Sequence, residues 1–328
     1  MGRLIPSPCS QAAAGSGTKK NIETNDMNKK VFPFLARIAV SALLPAVLHG
    51  CGKLYKESMD DCYGGVSIIL KVDPATTGAA EAEAAANHAV IYVFDKDGQM
   101  LERRETEVNK EEMLWYPQHK ALSVVGWINK DGKYTVTPFG SGITRADGLV
   151  SLNATRADTD CHIPSDLFYG DVEIISETTS RNVIQGVVNA SRLVGSMIVT
   201  VRGLREYASL FDDNFWITVG PTHSAVDFYG QYRNRQAAHT PVSAFVSSGD
   251  HVTSIFNMLP TGVEETTVSI YHKTAGLIYQ TAKDRDGRNI SVVADRTENV
   301  LIDFTAGIEV SVLRSEWGEV HIWGKDII

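Results

Sequence analysis

The stretch Ala89-Val-Ile-Tyr-Val-Phe-Asp-Lys-Asp-Gly-Gln-Met-Leu-Glu-Arg-Arg104 decides the fold. Its first six residues are apolar and rich in β-branched and aromatic side chains, which suit a pleated backbone packed against a core. Asp95-Lys-Asp-Gly98 then supplies a turn, because glycine accepts the positive φ that tight connections need. A second run, Gln99–Arg104, follows at once, so the whole stretch predicts a β-hairpin. The device recurs at Asp131-Gly132, Asp147-Gly148 and Asp286-Gly287.

Working outward, further strands are predicted at Val66–Val72, Leu122–Ile128, Lys133–Pro138, Val172–Ser176, Met197–Val201, Phe215–Val219, Thr267–His272, Ile290–Ala294, Val300–Phe304, Ile308–Leu313 and Glu319–Trp323. Helical signals are sparse. Residues 79–87 (AAEAEAAAN) favour helix by composition but lack an apolar stripe, which predicts a surface loop or single helical turns. Many short strands at this spacing predict an all-β chain of antiparallel β-sandwich domains. Ile91-Tyr92 before Gly98 and Ile270-Tyr271 before Gly276 form a faint internal echo, consistent with two related domains. The polar stretch 177–185 (ETTSRNVIQ) places the boundary between them, giving domains over 62–182 and 183–328.

The chain has 328 residues, 43% hydrophobic and 21% charged, an ordinary globular composition. Its formal charge of −8 argues against nucleic acid as a partner. Residues 27–50 read as a secretory signal: Lys29, Lys30 and Arg37 lead an uncharged apolar run from Ile38 to Leu48. That run is too short to span a bilayer, which takes about 20 apolar residues. It ends at Leu48-His49-Gly50-Cys51, a lipobox-like sequence that predicts cleavage before Cys51 and covalent lipid on its thiol, with residues 51–61 as a tether. Residues 1–26 read as an extension from a misassigned start. Residues 1–50 hold six basic and two acidic side chains, so a chain beginning at Cys51 carries a formal charge of −12. Such a body is repelled by anionic lipid, leaving the acyl chains as the membrane contact. Cys62 and Cys161 remain, and in an oxidising compartment they form a disulfide or stay as buried thiols.

Catalytic sequence patterns are missing. There is no Gly-x-Ser-x-Gly, His-Glu-x-x-His or Cys-x-x-Cys, so no enzyme, no metal site and no cofactor beyond the lipid on Cys51 is expected. Asp284-Arg-Asp-Gly-Arg-Asn289 has its glycine at the wrong position for a calcium loop and predicts a hairpin turn. His162 beside Cys161 would point to the opposite strand face. Asp212-Asp213 reads as solvated loop charge. Trp115, Tyr116, Trp127, Trp216, Trp317 and Trp323 are either core or a stacking surface for sugars.

Several segments in order resemble the FimB/Mfa2 family of fimbrial anchor lipoproteins of Bacteroidales. They are Asp60-Asp-Cys-Tyr-Gly-Gly-Val66 soon after Cys51, Ile91-Tyr-Val-Phe-Asp-Lys-Asp-Gly98, Val124-Val-Gly-Trp-Ile-Asn129, Cys161 to Gly170, and Leu193 to Leu204. The match covers roughly residues 51–205. Tyr63 departs from the proline common after that cysteine, and the C-terminal half matches loosely. The resemblance implies two transthyretin-like antiparallel β-sandwich domains in tandem and a Cys62–Cys161 disulfide. It also implies a lipid-anchored, surface-exposed outer-membrane protein at the base of a fimbria, with the shaft subunit as partner.

Fibre assembly by strand exchange then has a direction. A strand that carries the lipid tether cannot be excised to open a groove, so this chain is expected to donate from its C-terminal end. The candidate donors are Ile308, Val310 and Val312, with Val320 and Ile322 on one face of a final strand; the plain alternative is that these are the last strands of the second domain. A surface glycan- or protein-binding lipoprotein of the same fold, with a host or bacterial surface ligand, is the competing expectation.

Overall fold

The computed structural model describes residues 65–86, 88–140, 142–155, 160–175, 183–305, 307–321 and 323. The protein is all-β; two short α-helices occur among the described residues, α1 (Ala79–Ala84) and α2 (Leu204–Ala208). The expected hairpin is present as β2 (Ala89–Asp95) and β3 (Met100–Thr106), joined through Gly98 at φ 77°. Every residue of β2 from Ala89 to Phe94 is buried. Ala89, Ile91 and Val93 face one core while Val90, Tyr92 and Phe94 face another, which is why the run is continuously apolar rather than alternating.

The first sheet has seven strands in the order β3-β2-β5-β8-β9-β1-β4, adding β1 (Val66–Val72), β4 (Glu111–Leu114), β5 (Ala121–Ile128), β8 (Phe168–Ile175) and β9 (Ile184–Arg192). β8 and β9 share only two residue pairs, Phe168 with Arg192 and Tyr169 with Ser191. The sheet turns a corner there, and its halves enclose a core of Ile68, Leu70, Ile91, Val124, Ile174 and their neighbours. Gly170 sits at that corner: a Cβ on it would lie 2.3 Å from the Asn189 carbonyl oxygen.

Two further sheets form the rest. One runs β13 (Ser243–Phe245), β14 (His251–Thr253), β10 (Gly195–Arg202), β18 (Arg296–Asp303), β19 (Glu309–Glu316), with β15 (Phe256–Met258) also on β10. The other runs β17 (Gly276–Thr281), β16 (Thr267–His272), β11 (Phe215–Asp227), β7 (Leu149–Leu152), β6 (Tyr134–Val136), with β12 (Tyr232–His239) on β11. Met197, Val199, Ile217, Val268, Val300 and Ile302 fill the space between these two sheets. The 13-residue β11 links the halves of the chain, since Phe215–Gly220 pairs with β16 and Ala225–Asp227 with β7. A third core of Tyr92, Trp127, Tyr169, Val226 and Phe228 lies where the first sheet meets β7, β11 and β12.

Four expectations change. β1 pairs parallel with β9 over seven residues, and β10 parallel with β18 over seven, so the sheets are not wholly antiparallel. The β1–β9 ladder also puts residues 184–192 with the first sheet, beyond the expected boundary at 182. Ile290–Ala294 is not a strand, although Ile290 and Val292 are buried; its amides bond across to Ala282 and to Thr261 instead of forming a ladder. Glu319–His321 is not a strand either, and the reason lies in how it is held, described below.

Phe228 is fully buried against Tyr92, Phe94, Trp127 and Phe139, with ring centroids 4.9–5.8 Å apart. Phe228→Ala is expected to cost about 3–5 kcal/mol in urea unfolding, because the rings around it cannot close the void. Burial also pushes the pKa values of His239 and His251 down to about 4, so both are neutral in the folded chain. The unfolded chain binds more protons between pH 6.5 and 4, so this stability is complete above pH 6.5 and lost as the pH falls toward 4. The loss approaches roughly 3 kcal/mol per histidine. A melting-temperature profile should drop through that window, and His251→Gln should flatten it.

Candidate anchoring and docking elements

Cys51 and Cys62 lie outside the described residues. The first described strand after them, β1, is an interior strand. It has seven residue pairs with β9 on one side and four with β4 on the other. Val66, Ile68, Leu70 and Val72 are at most 4% exposed. Burying four such side chains contributes on the order of 6–12 kcal/mol, so this strand cannot leave without opening the core. Asp73 extends the pairing, its N–H donating to Ala190 O at 2.8 Å.

Cys161 is buried in the third core, bridged to Ala154, and its N–H donates to Ala238 O at 2.9 Å. His162 follows it and is exposed.

The structure separates the candidate C-terminal residues. Val310 and Val312 lie in β19, which pairs antiparallel with β18 over eight residues and is the edge strand of its sheet. Val310 is buried and Val312 packs against the core, whereas Ile308, just before the strand, is exposed. Val320 is exposed beyond the strand, and Ile322 lies outside the described residues. After β19 the chain turns back and is held by side chains. The Gly318 N–H donates to Thr297 Oγ1 at 2.9 Å and the His321 N–H to Asn299 Oδ1 at 2.8 Å. Arg202 Nη2 donates to Trp323 O at 3.4 Å. Thr297 and Asn299 are alternate residues of β18, so they point to one face of the sheet. Those side-chain acceptors replace a backbone ladder, which is why Glu319–His321 forms no strand.

Two buried arginines tie distant segments together, and neither stood out in the sequence. Arg192, 2% exposed, donates to Asp166 Oδ1 at 2.7 Å and to Thr77 O at 2.8 Å, and pairs with Asp295. Its guanidinium lies 4.2 Å from the Trp317 ring centroid. Burial holds the Asp166 carboxyl above its ordinary range, and Arg192 opposes that. Arg145 donates to Phe228 O at 3.0 Å and to Glu173 at 2.9 Å, and pairs with Asp171 and Ser123. It joins β5 and β8 to the turn after β11. A lone arginine in sequence carries no sign of such burial; only the partners brought by folding make it affordable.

Trp127 is core, Trp317 packs against the third core, and Trp115 is 62% exposed. Trp216 stacks on Tyr271 at 5.5 Å between centroids. Asp284 forms the expected turn, accepting from Asp286 N and Arg288 N at 2.9 and 2.8 Å. Asp212 is more than solvated charge: His272 donates to it at 2.7 Å, which holds its pKa at about 2.

The sequence pattern of the family described as fimbrillin-A associated anchor proteins Mfa1 and Mfa2 matches residues 59–323. The chain belongs to this fimbrial anchor family. The match runs well past residue 205, so the C-terminal half is part of the same family pattern despite its loose motif similarity. The major fimbrium anchoring subunit FimB of Porphyromonas gingivalis strain W83 is 23% identical over 301 residues, covering 87% of this chain and 97% of that one. The fimbrial anchor protein Mfa2 of Porphyromonas gingivalis superposes with a TM-score of 0.58 at 17% identity, over 77% of this chain and 97% of that one. A candidate polysaccharide-binding protein of Bacteroides thetaiotaomicron superposes at 0.59 and 14% identity, over 78% and 97%. At these identities the superpositions establish the fold alone.

Arg192→Ala leaves Asp166 and Asp295 without their cation and removes the ring contact to Trp317. It should cost about 3 kcal/mol in chemical denaturation. The carboxyl pairs explain the loss if Arg192→Lys restores only part of it, because ammonium cannot reach both carboxylates and Thr77 O together.

Proposed function

We propose that this chain is the membrane-proximal anchor of a surface fimbria, lipidated on Cys51 and held at the outer membrane by the acyl chains. The reading is carried by one observation: the strand nearest the lipidated end, β1, is hydrogen-bonded on both sides and fully built into the first core. Tension along the tether would load its parallel ladder in shear, where many bonds must break together. The same strand blocks excision, so the anchor completes a sheet of the first shaft subunit rather than accepting a strand from it. Its contribution comes from the C-terminal end, either the edge strand β19 with Ile308, Val310 and Val312, or the segment beyond it with Val320 and Ile322. The latter is favoured by its hold, which rests on side-chain acceptors and can be released without unpairing β18.

The repeated arrangement in which a first strand pairs parallel with a late one, β1 with β9 and β10 with β18, supports two transthyretin-like modules. A Cys62–Cys161 disulfide would staple the tether end to the third core, adding up to roughly 4.7 kcal/mol for a loop of about 100 residues. A second reading, a surface glycan- or protein-binding lipoprotein, is favoured by the exposed Trp115.

Deleting the gene is expected to release fibres, longer than those of the parent, into the medium. Cells expressing a chain that lacks residues 317–328 should bind the membrane and still shed fibres. Fibres retained by that truncated, folded chain overturn the C-terminal donor; fibres unchanged by gene deletion overturn the anchor. Glycan binding lost in Trp115→Ala would establish the second reading.

A further inference from the structure

Gly65 precedes β1 on the side from which the chain arrives from Cys51. Thirteen residues separate the two, so even a fully extended chain sets them at most about 50 Å apart. β1 lies between β4 and β9, and Val66 pairs with Leu114 on one side and Ile184 on the other. All three of these residues face the first core, so their neighbours along each strand face away from it. Ser67, Met113 and Gln185 form one outward row, and Ile69, Glu111 and Val187 form the next. Trp115 and Val183 extend β4 and β9 at the end where Gly65 stands. A Cβ on Gly65 would lie 3.3 Å from both the Trp115 ring and the Met113 methyl. Both side chains therefore lean over the point where the chain enters the fold.

Trp115, Met113, Val183 and Val187 are 43–62% exposed. Large apolar side chains turned to water on three adjacent strands form a patch rather than scattered single residues, and such a patch marks contact with protein or lipid. Its border is polar: Ser67 donates to Glu111, and Lys71 lies one row further along β1. An indole at the tip of an apolar patch suits the headgroup boundary, where its ring meets acyl chains and its N–H meets polar groups. Position selects lipid over protein. The patch stands at the root of the tether, so lipid on Cys51 keeps it near the bilayer and converts a weak affinity into an intramolecular contact. The four residues are uncharged, so the contact suits zwitterionic lipid although the chain from Cys51 carries a formal charge of −12.

We propose that this outward face of β4, β1 and β9 rests on the bilayer interface, with Trp115 and Met113 foremost and Val183 and Val187 behind them. The inference rests on lipidation of Cys51 and adds a second, orienting contact to the acyl chains. It does not involve the C-terminal donor.

The experiment places the lipidated chain, purified from cell membranes, in phosphatidylcholine vesicles whose acyl chains carry bromine close to the headgroup. Flotation reads the lipid anchor, and tryptophan fluorescence reads the contact. The brominated lipid should quench the parent chain. Trp115→Phe should lose most of that quenching with an unchanged melting temperature, whereas Trp216→Phe should keep it. Val187→Glu combined with Met113→Glu should float as the parent does and lose quenching at Trp115. A chain that does not float overturns lipidation and this contact with it. A chain that floats without quenching through Trp115 overturns the contact alone, and quenching kept in the double variant overturns its assignment to this patch. Absent quenching, with Met113→Cys cross-linking two copies, gives the face to a second copy of the chain instead. A ring held against lipid is closed to a sugar, so quenching through Trp115 also counts against its use in glycan binding.

Discussion

The structure depends on β1 being paired on both edges. Its seven-residue ladder to β9 and its four pairs to β4 make it an interior strand, and its alternate side chains supply one wall of the first core. Unpairing either edge would expose backbone groups whose satisfaction is obligatory in a buried setting. β1 is also the first described strand after Cys51, so under the proposed lipidation the chain's attachment and its folding would share one piece of structure. A tether ending in an edge strand would peel one pair at a time. One ending in an interior parallel ladder resists as a unit.

The second constraint is the shared middle. β11 is long enough to serve β16 with one end and β7 with the other, and the first sheet lays its second face against it. Arg145 and Arg192 reinforce this region from two sides, each drawing carboxylates and carbonyls from segments far apart in sequence. Buried ion pairs contribute less net stability than their geometry suggests, since desolvation offsets most of the attraction. Their value here is positional: they accept only one alignment of the segments they join. Trp317 extends that alignment to the start of the C-terminal segment, so the region beyond β19 is seated on the junction rather than hanging free.

Much of this was legible in the sequence, for a physical reason visible in particular residues. Hairpins marked by Asp-Gly turns are local, and β2–β3 formed where Gly98 required. The continuous apolar run Ala89–Phe94 was correctly a strand, but burial on both faces is a property of its neighbours, and nothing in six residues says how many layers cover them. The parallel ladders were illegible because parallel partners are far apart in the chain: β1 and β9 are separated by more than 100 residues. Glu319–Trp323 alternates like a strand, yet Asn299 captures the His321 amide and Thr297 that of Gly318 just before the segment.

What the sequence determined by itself is therefore the local and the compositional: an all-β chain, its turns, the family pattern, and a lipobox-like cysteine ahead of the first strand. Those properties follow from side-chain shape, glycine's backbone freedom and apolar runs, each acting over a few residues. The tertiary structure decided which strands became interior, where the halves of the chain share a sheet, and which charged side chains were buried. These outcomes depend on competition among distant partners for the same edges and the same core space, and that competition is settled only when all the strands are in place.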